Sequence, residues 1–190
     1  MASASTREHK DTLVEALRCF KCYKDPDVQG FLNNDAIEFE KRGLATTYLL
    51  LSREAFGNNQ IKIEGYFSLT HKAVIFAKEV SRTARQKLTG KKDATSRSFV
   101  LIGQLGKYIC KNEDGSISCS SLSAKELLDD ALTIIQNASD YIICRNVIVE
   151  CKPVDKVKNI YQTYGFTDLQ FDEKDGLHTL YLKIGNQINF

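Results

Sequence analysis

The run Asn159-Ile160-Tyr161-Gln162-Thr163-Tyr164-Gly165-Phe166 sets two phenols near the end of a helix-like segment, Tyr161 on its apolar side and Tyr164 directly before a glycine. A sheltered phenol can hand a proton to a departing group, so Tyr161 is the candidate acid of this chain. No base stands out. Glu64 and His71 could take a proton through water, but nothing in their spacing marks either one. The close pair Cys19-x-x-Cys22 lacks a second cysteine pair or a nearby histidine to complete a zinc tetrahedron, so no metal is expected. Between residues 78 and 97 the cations Lys78, Arg82, Arg85, Lys87, Lys91, Lys92 and Arg97 outnumber Glu79 and Asp93. Such a run reads first as a solvated helix face and loop, and second as a contact for phosphates.

These groups need elements to hold them. Val157, Ile160, Tyr161 and Tyr164 recur at i, i+3, i+4 and i+7 and predict a helix over 155–164 with one buried face. Gly165 suits the left-handed residue that ends it. A strand at 146–151 precedes this helix and a hairpin over 167–184 follows it. Further upstream, helices over 12–23 and 28–41 flank the breaker Asp25-Pro26-Asp27. Strands over 44–52 and 61–69 come next, with Gly57-Asn58-Asn59 as the turn of an antiparallel hairpin. A strand over 98–109 carries Gly103 and Gly106 in its interior, which marks a bulge or a close approach of another backbone or a ligand. A polar loop over 111–121 leads to a helix from Ser123 to about Ala138, opened by the capping box Ser123-Ala124-Lys125-Glu126. The tail, 185–190, is expected to dock or fray.

The totals bound the reading. A chain of 190 residues is expected to form one domain, burying roughly 70% of the surface its unfolded form exposes. With 26 Lys and Arg against 24 Asp and Glu, the net charge of +2 exerts no global pull on nucleic acid or anionic lipid, so any basic site is local. No run approaches the ~18 apolar residues of a membrane span, and the polar N-terminus lacks a signal-peptide core, so a cytoplasmic protein is expected. Its six cysteines, Cys19, Cys22, Cys110, Cys119, Cys144 and Cys151, then read as reduced thiols.

The order of elements resembles the GNAT superfamily of acyl-CoA-dependent N-acetyltransferases. Three strings add to it: Glu40-Lys41-Arg42-Gly43-Leu44-Ala45-Thr46-Thr47-Tyr48, Glu64-Gly65-Tyr66-Phe67-Ser68-Leu69 and Val100-Leu101-Ile102-Gly103-Gln104-Leu105-Gly106. Each looks like the matching part of the compact GNAT enzymes that include aminoacyl-tRNA-acetylating toxins. The resemblance spans residues 28–184 and implies an α/β (α+β) fold: a mixed, mostly antiparallel sheet flanked by helices, with splayed central strands. Residues 1–190 would form a single acetyltransferase domain, with 1–27 as a helical extension and 78–97 as a basic insertion.

The resemblance further implies acetyl-CoA as co-substrate. Gln104, Leu105, Gly106 and Lys107 would line its pantetheine arm, which would account for the glycines there. Ser120, Ser121, Leu122, Ser123, Ala124 and Lys125 would meet its pyrophosphate at a helix N-terminus, and Asn159 would join them. The family's Q/R-x-x-G-x-G/A falls on Cys119-Ser120-Ser121-Leu122-Ser123-Ala124, where only Ala124 fits. The small hydroxyl residues can still donate to phosphate, whereas a closed capping box would put the Glu126 carboxylate beside it. Tyr161 would protonate the departing sulfur, and amides near Leu105 to Lys107 would hold the oxyanion. The partner would be the amine of a small molecule, a protein or an aminoacyl-tRNA, and a homodimer is allowed. Two other readings stand beside this: an acyl-CoA-binding module without turnover, and an RNA-interacting protein relying on Arg82, Arg85, Lys91 and Lys92.

Overall fold

In a computed structural model, residues 4–58, 60–142 and 145–185 are described. Asn59 of the expected turn, Cys144 and tail residues 186–190 lie outside them. The described residues fall into two compact units, one built from the chain up to Ser68 with Gln104–Asp129, the other from Leu69–Gly103 with the chain from Asp130 onward.

The first unit starts with α1 (Ala4–Cys19). After it Lys21 to Tyr23 run as extended chain beside Ile109, whose amide donates to Lys21 O at 2.8 Å and whose carbonyl accepts from Tyr23 N at 3.1 Å. The Asp25 carboxylate then caps α2 (Pro26–Gly30) by accepting from the amides of Asp27 and Val28, with Pro26 pre-set for the first turn. A π-helical turn, Phe31–Asp35, continues it into α3 (Ala36–Lys41). Asn33 on that turn staples α1: its Nδ2 donates to the carbonyls of Leu17, Arg18 and Phe20 at 2.6, 2.9 and 3.2 Å, satisfying groups a helix end leaves unpaired. Leu17, Phe20, Cys22, Leu32, Ala36, Ile63 and Tyr66 form the core beneath.

Strand β1 (Thr46–Leu51) and strand β2 (Ile63–Ile75) follow. The expected Gly57-Asn58-Asn59 hairpin turn is not what joins them. A helix, α4 (Arg53–Gly57), intervenes because Ser52 caps it by accepting from Ala55 N at 3.3 Å and Glu54 sits favourably in its first turn. Strand β2 also runs six residues past the expected end at Leu69, since alternation continues through buried Val74.

In the second unit α5 (Arg82–Thr89) is capped by Ser81 at one end and by Gly90, at φ 80°, at the other. Strand β3 (Ser96–Lys107) passes from this unit into the first at Gln104. It stops short of the expected Ile109, which belongs instead to β4 (Ile109–Lys111), paired with β5 (Ile117–Cys119) inside the loop expected to be irregular. Helix α6 (Ala124–Ser139), β6 (Asn146–Cys151), α7 (Asp155–Thr163), β7 (Thr167–Asp172) and β8 (Leu177–Lys183) follow, close to the expected spans. Val74, Phe76, Val80, Leu88, Phe99 and Ile148 make the second core.

The main sheet has the order β1-β2-β3-β6-β8-β7, mostly antiparallel and flanked by helices. Its parallel pair, β3 with β6, is registered at Val100↔Val147, Leu101↔Ile148 and Ile102↔Val149. The ladder ends there, while β6 runs on to Cys151 and stays paired with β8 through Cys151↔His178. Because Asn33 satisfies the end of α1, Asn33→Ala is expected to destabilise the protein by about 1–3 kcal/mol in denaturant unfolding. An unchanged midpoint would show that the staple is dispensable.

Candidate functional site

The end of α7 is defined by its glycine. Gly165 takes φ 85°, and around it Gly165 N donates to Gln162 O at 2.9 Å and Phe166 N to Tyr161 O at 3.2 Å. These paired bonds are the left-handed cap, and its usual apolar contact is present too, the rings of Tyr161 and Phe166 lying 5.7 Å apart edge to face. Backbone and ring of Tyr161 are therefore both held by Phe166, which is itself buried. Burial, with the nearby Cys151 thiol adding, pushes the Tyr161 phenol up to about 12. The phenol is protonated throughout the neutral range, as an unshifted one would be, and the shift makes it a weaker proton donor. Asn159, on the same helix, is exposed.

One turn before Tyr161, Lys158 reaches out of the helix into a charged cluster that the sequence did not reveal. Lys158 Nζ lies 2.8 Å from Asp168 Oδ2 on β7, and His178 Nδ1 on β8 lies 3.1 Å from the same oxygen. Burial opposes the charge on Asp168, but the bonds from Lys158 and His178 outweigh it and hold its carboxyl below the ordinary aspartate value. Burial raises the Cys151 thiol, which feels both Lys158 and Asp168.

The residues nominated for the cofactor arm and its phosphates on β3 and before α6, with Glu64, belong to the first unit. On β3, Gly106 is buried, and a Cβ built there would sit 2.3 Å from Val28 Cγ1, so the close approach of Val28 already requires glycine at this place. Lys107 is turned toward the loop before α6: its Nζ donates to Leu122 O at 2.9 Å and Ser120 O at 3.4 Å. Gln104 and Leu105 are half-buried.

Ser120 is the hub of that loop. It is buried, its amide donates to Tyr108 O at 2.9 Å, and its hydroxyl accepts from Leu122 N at 3.0 Å. The same hydroxyl bonds to the Glu64 carboxyl, which also pairs with Lys62 at 3.0 Å. Burial acts to raise Glu64, but Ser120 and Lys62 prevail and hold it below the ordinary glutamate value, which makes it a poor base near neutrality. Leu122, standing where the family motif has glycine, packs onto β2: its Cδ1 would be 3.3 Å from a Cβ on Gly65. Its side chain is spent on the sheet.

The capping box closes. Ser123 N and Ser123 Oγ lie 2.7 and 2.8 Å from Glu126 Oε2, and Glu126 N donates to Ser123 Oγ at 3.1 Å. Hydrogen bonds from Ser123 keep the Glu126 carboxyl low, with Lys107 adding. An anion arriving at the start of α6 meets amides of Leu122 and Ser123 already engaged and a carboxylate in residence. Ser121, Ala124 and Lys125 are exposed there.

The basic segment divides into structural and free cations. Arg85 is caged: its guanidinium donates to Ala77 O, Val80 O and Ala94 O at 2.8, 2.9 and 3.1 Å and lies over the Phe76 ring. With the Asn146 amide oriented so that its oxygen accepts, Arg97 Nη2 and Nε lie 2.7 and 3.0 Å from it. Lys78, Arg82, Lys87, Lys91 and Lys92 are exposed. His71 is exposed on β2. Among the described residues no group of three or more His, Cys, Asp or Glu could hold a metal ion, and no helix is long and apolar enough to cross a membrane.

No family model matches the chain, and no curated protein matches it. Solved structures do. AtaT complexed with acetyl-methionyl-tRNAfMet is similar at a TM-score of 0.64 and 17% identity, over 88% of this chain and 86% of that one. AtaTR bound with acetyl-CoA is similar at 0.61 and 18%, over 88% and 86%. A mutant of KacT is similar at 0.63 and 20%, over 87% and 85%. The present chain shares the fold of these proteins, the GNAT fold expected from its sequence.

Since Gly165 alone lets the chain turn back onto Tyr161, Gly165→Ala is expected to destabilise the protein by about 1–2 kcal/mol. Leu182 Cδ1, at 3.7 Å from the added methyl, leaves room for it, so the loss is conformational rather than steric. Unaltered stability in thermal unfolding would mean that the cap does not constrain the helix.

Proposed function

We propose that this chain is an acyl-CoA-dependent N-acetyltransferase that moves an acetyl group from acetyl-CoA to a primary amine. The observation that carries the reading is Tyr161: a phenol fixed by the Gly165 cap and by the buried Phe166 ring, in a chain with the GNAT fold. The solved structure of AtaTR bound with acetyl-CoA supports the co-substrate. Residues 1–190 act in this reading as one catalytic domain, carrying the 1–27 extension and the 78–97 basic insertion, in the cytoplasm.

When bound, acetyl-CoA supplies an activated carbonyl joined to a good leaving group, the thiol. The β3 residues Gln104, Leu105, Gly106 and Lys107 hold its arm, with backbone amides stabilising the negative charge that builds on the carbonyl oxygen. Ser120, Ser121, Leu122, Ser123, Ala124 and Lys125, with Asn159, receive its phosphates. As the amine nitrogen bonds to the carbonyl carbon and the carbon–sulfur bond breaks, the Tyr161 hydroxyl gives its proton to the sulfur. The amine sheds its own proton to water, and solvent reprotonates the phenolate. Glu64 has no part in this beyond its hold on Ser120.

The residues suit a phosphate-bearing ligand, with one conflict. Lys107 and the exposed Ser121 favour an anion, whereas Glu126 holds the amide and hydroxyl of Ser123 and Ser120 holds the amide of Leu122. That occupation is the observation favouring a second reading, an RNA-interacting protein of the same fold that does not use CoA. For the acceptor, the solved complex of AtaT with acetyl-methionyl-tRNAfMet supports an aminoacyl-tRNA, with Lys78, Arg82, Lys87, Lys91 and Lys92 as phosphate contacts in place of the caged Arg85.

Two measurements test the proposal. Acetyl-CoA at 100 times its dissociation constant is expected to stabilise the chain by about 2.7 kcal/mol in a thermal-shift titration, and a flat response contradicts it. In an acetylation assay over small amines, peptides and aminoacyl-tRNA, Tyr161→Phe is expected to lower kcat by about 10²–10⁴-fold with the fold intact. Turnover at the unaltered rate removes Tyr161 as the acid. Glu126→Gln, by deleting the competing charge, is expected to tighten acetyl-CoA binding by calorimetry, and weaker binding would sink the conflict described here.

A further inference from the structure

Resting on the proposed role of Tyr161, we propose that Lys158, Asp168 and His178 are positioning residues that pin α7 to the β7–β8 hairpin and so fix where the Tyr161 hydroxyl points. All three belong to the second unit, and each comes from a different element of it. Asp168 is the shared acceptor: Lys158 Nζ lies 2.8 Å from its Oδ2 and His178 Nδ1 lies 3.1 and 3.3 Å from its two oxygens, which leaves Lys158 Nζ and His178 Nδ1, 3.5 Å apart, as neighbouring donors.

Lys158 and His178 have side chains 19% and 20% exposed, while the Asp168 carboxylate between them is 39% exposed, so the cluster is shielded on the side of its two donors and open at its acceptor. The Phe171 ring covers His178 at 4.8 Å, closing the cluster from the β7 side. From the other side comes Cys151, the cross-strand partner of His178 and the group that Lys158, Asp168 and Tyr161 all feel. The cluster therefore grips the helix one turn before Tyr161, and the Gly165 cap grips it just after. A residue held at both ends of a short segment loses the freedom to swing its hydroxyl away, and misplacement of about 1 Å in a reacting group can lower a rate by about 10²-fold.

The test uses the full chain with Asp168→Asn, which keeps the shape and removes the charge, and Asp168→Glu as the conservative rescue. Hydrogen exchange read by mass spectrometry is independent of catalysis: Asp168→Asn is expected to speed exchange across 155–164, and Asp168→Glu to restore much of the protection. Equal protection in Asp168→Asn overturns the proposal whatever the protein catalyses. In the acetylation assay Asp168→Asn is expected to lower kcat by about 10-fold or more while KM for acetyl-CoA stays within about 2-fold, and to add no further loss in a Tyr161→Phe background. Additive losses in the double variant overturn it, because the cluster would then act on the fold rather than through Tyr161. If the wild-type chain does not bind acetyl-CoA, the enzymatic reading fails, and the exchange measurement alone decides whether the cluster holds α7.

Discussion

A single left-handed residue governs the geometry of the candidate acid. Gly165 reverses the chain so that the amide of Phe166 returns to the carbonyl of Tyr161, while the two rings close edge to face. An L-residue other than glycine resists that conformation, because its Cβ crowds the backbone. With the reversal in place, Phe166 enters the interior, β7 starts at Thr167, and Asp168 reaches the level of Lys158. Burial then raises the phenol's proton affinity. Conformation, packing and proton affinity at Tyr161 descend from one backbone angle.

The loop before α6 follows a different economy, one of charge. Where the family motif has glycines, this chain has serines and a leucine, and it satisfies the exposed helix start from within: Ser120 serves Leu122, Glu126 serves Ser123, and Lys107 gathers the carbonyls of Ser120 and Leu122. Leu122 is accommodated because Gly65 leaves it a recess on β2. The result is a self-contained turn whose negative charge stands where a phosphate would otherwise be welcomed. Ligand affinity in such a site depends on how readily Glu126 yields the amide and hydroxyl of Ser123.

Much of this was legible in the sequence. The 3.6-residue period of Val157, Ile160, Tyr161 and Tyr164, closed by Gly165, located α7, and Ser123 with Glu126 announced a capping box that closes as expected. Local patterns failed where a short-range cap outweighed them: Ser52 starts α4 inside an apparent hairpin, and Asn112 to Gly115 turn the chain between β4 and β5 inside an apparent loop. Long-range pairings left no local trace. Nothing beside Gly106 in the chain announces Val28, 78 positions earlier, and Arg85 reads as one more surface cation until its three carbonyls are seen. Lys158, Asp168 and His178 lie ten residues apart in sequence and meet only because β7 and β8 pair beside the helix.

The claim at the centre is chemical: the Tyr161 hydroxyl faces the sulfur of a bound acyl-CoA. A crystal structure of the chain with acetyl-CoA tests it most directly. The account predicts the thioester sulfur within hydrogen-bonding distance of Tyr161 Oη and the pyrophosphate at the 120–125 loop with the Glu126 carboxylate displaced. A sulfur bound elsewhere, with the phenol still packed against Phe166 and out of its reach, would contradict it.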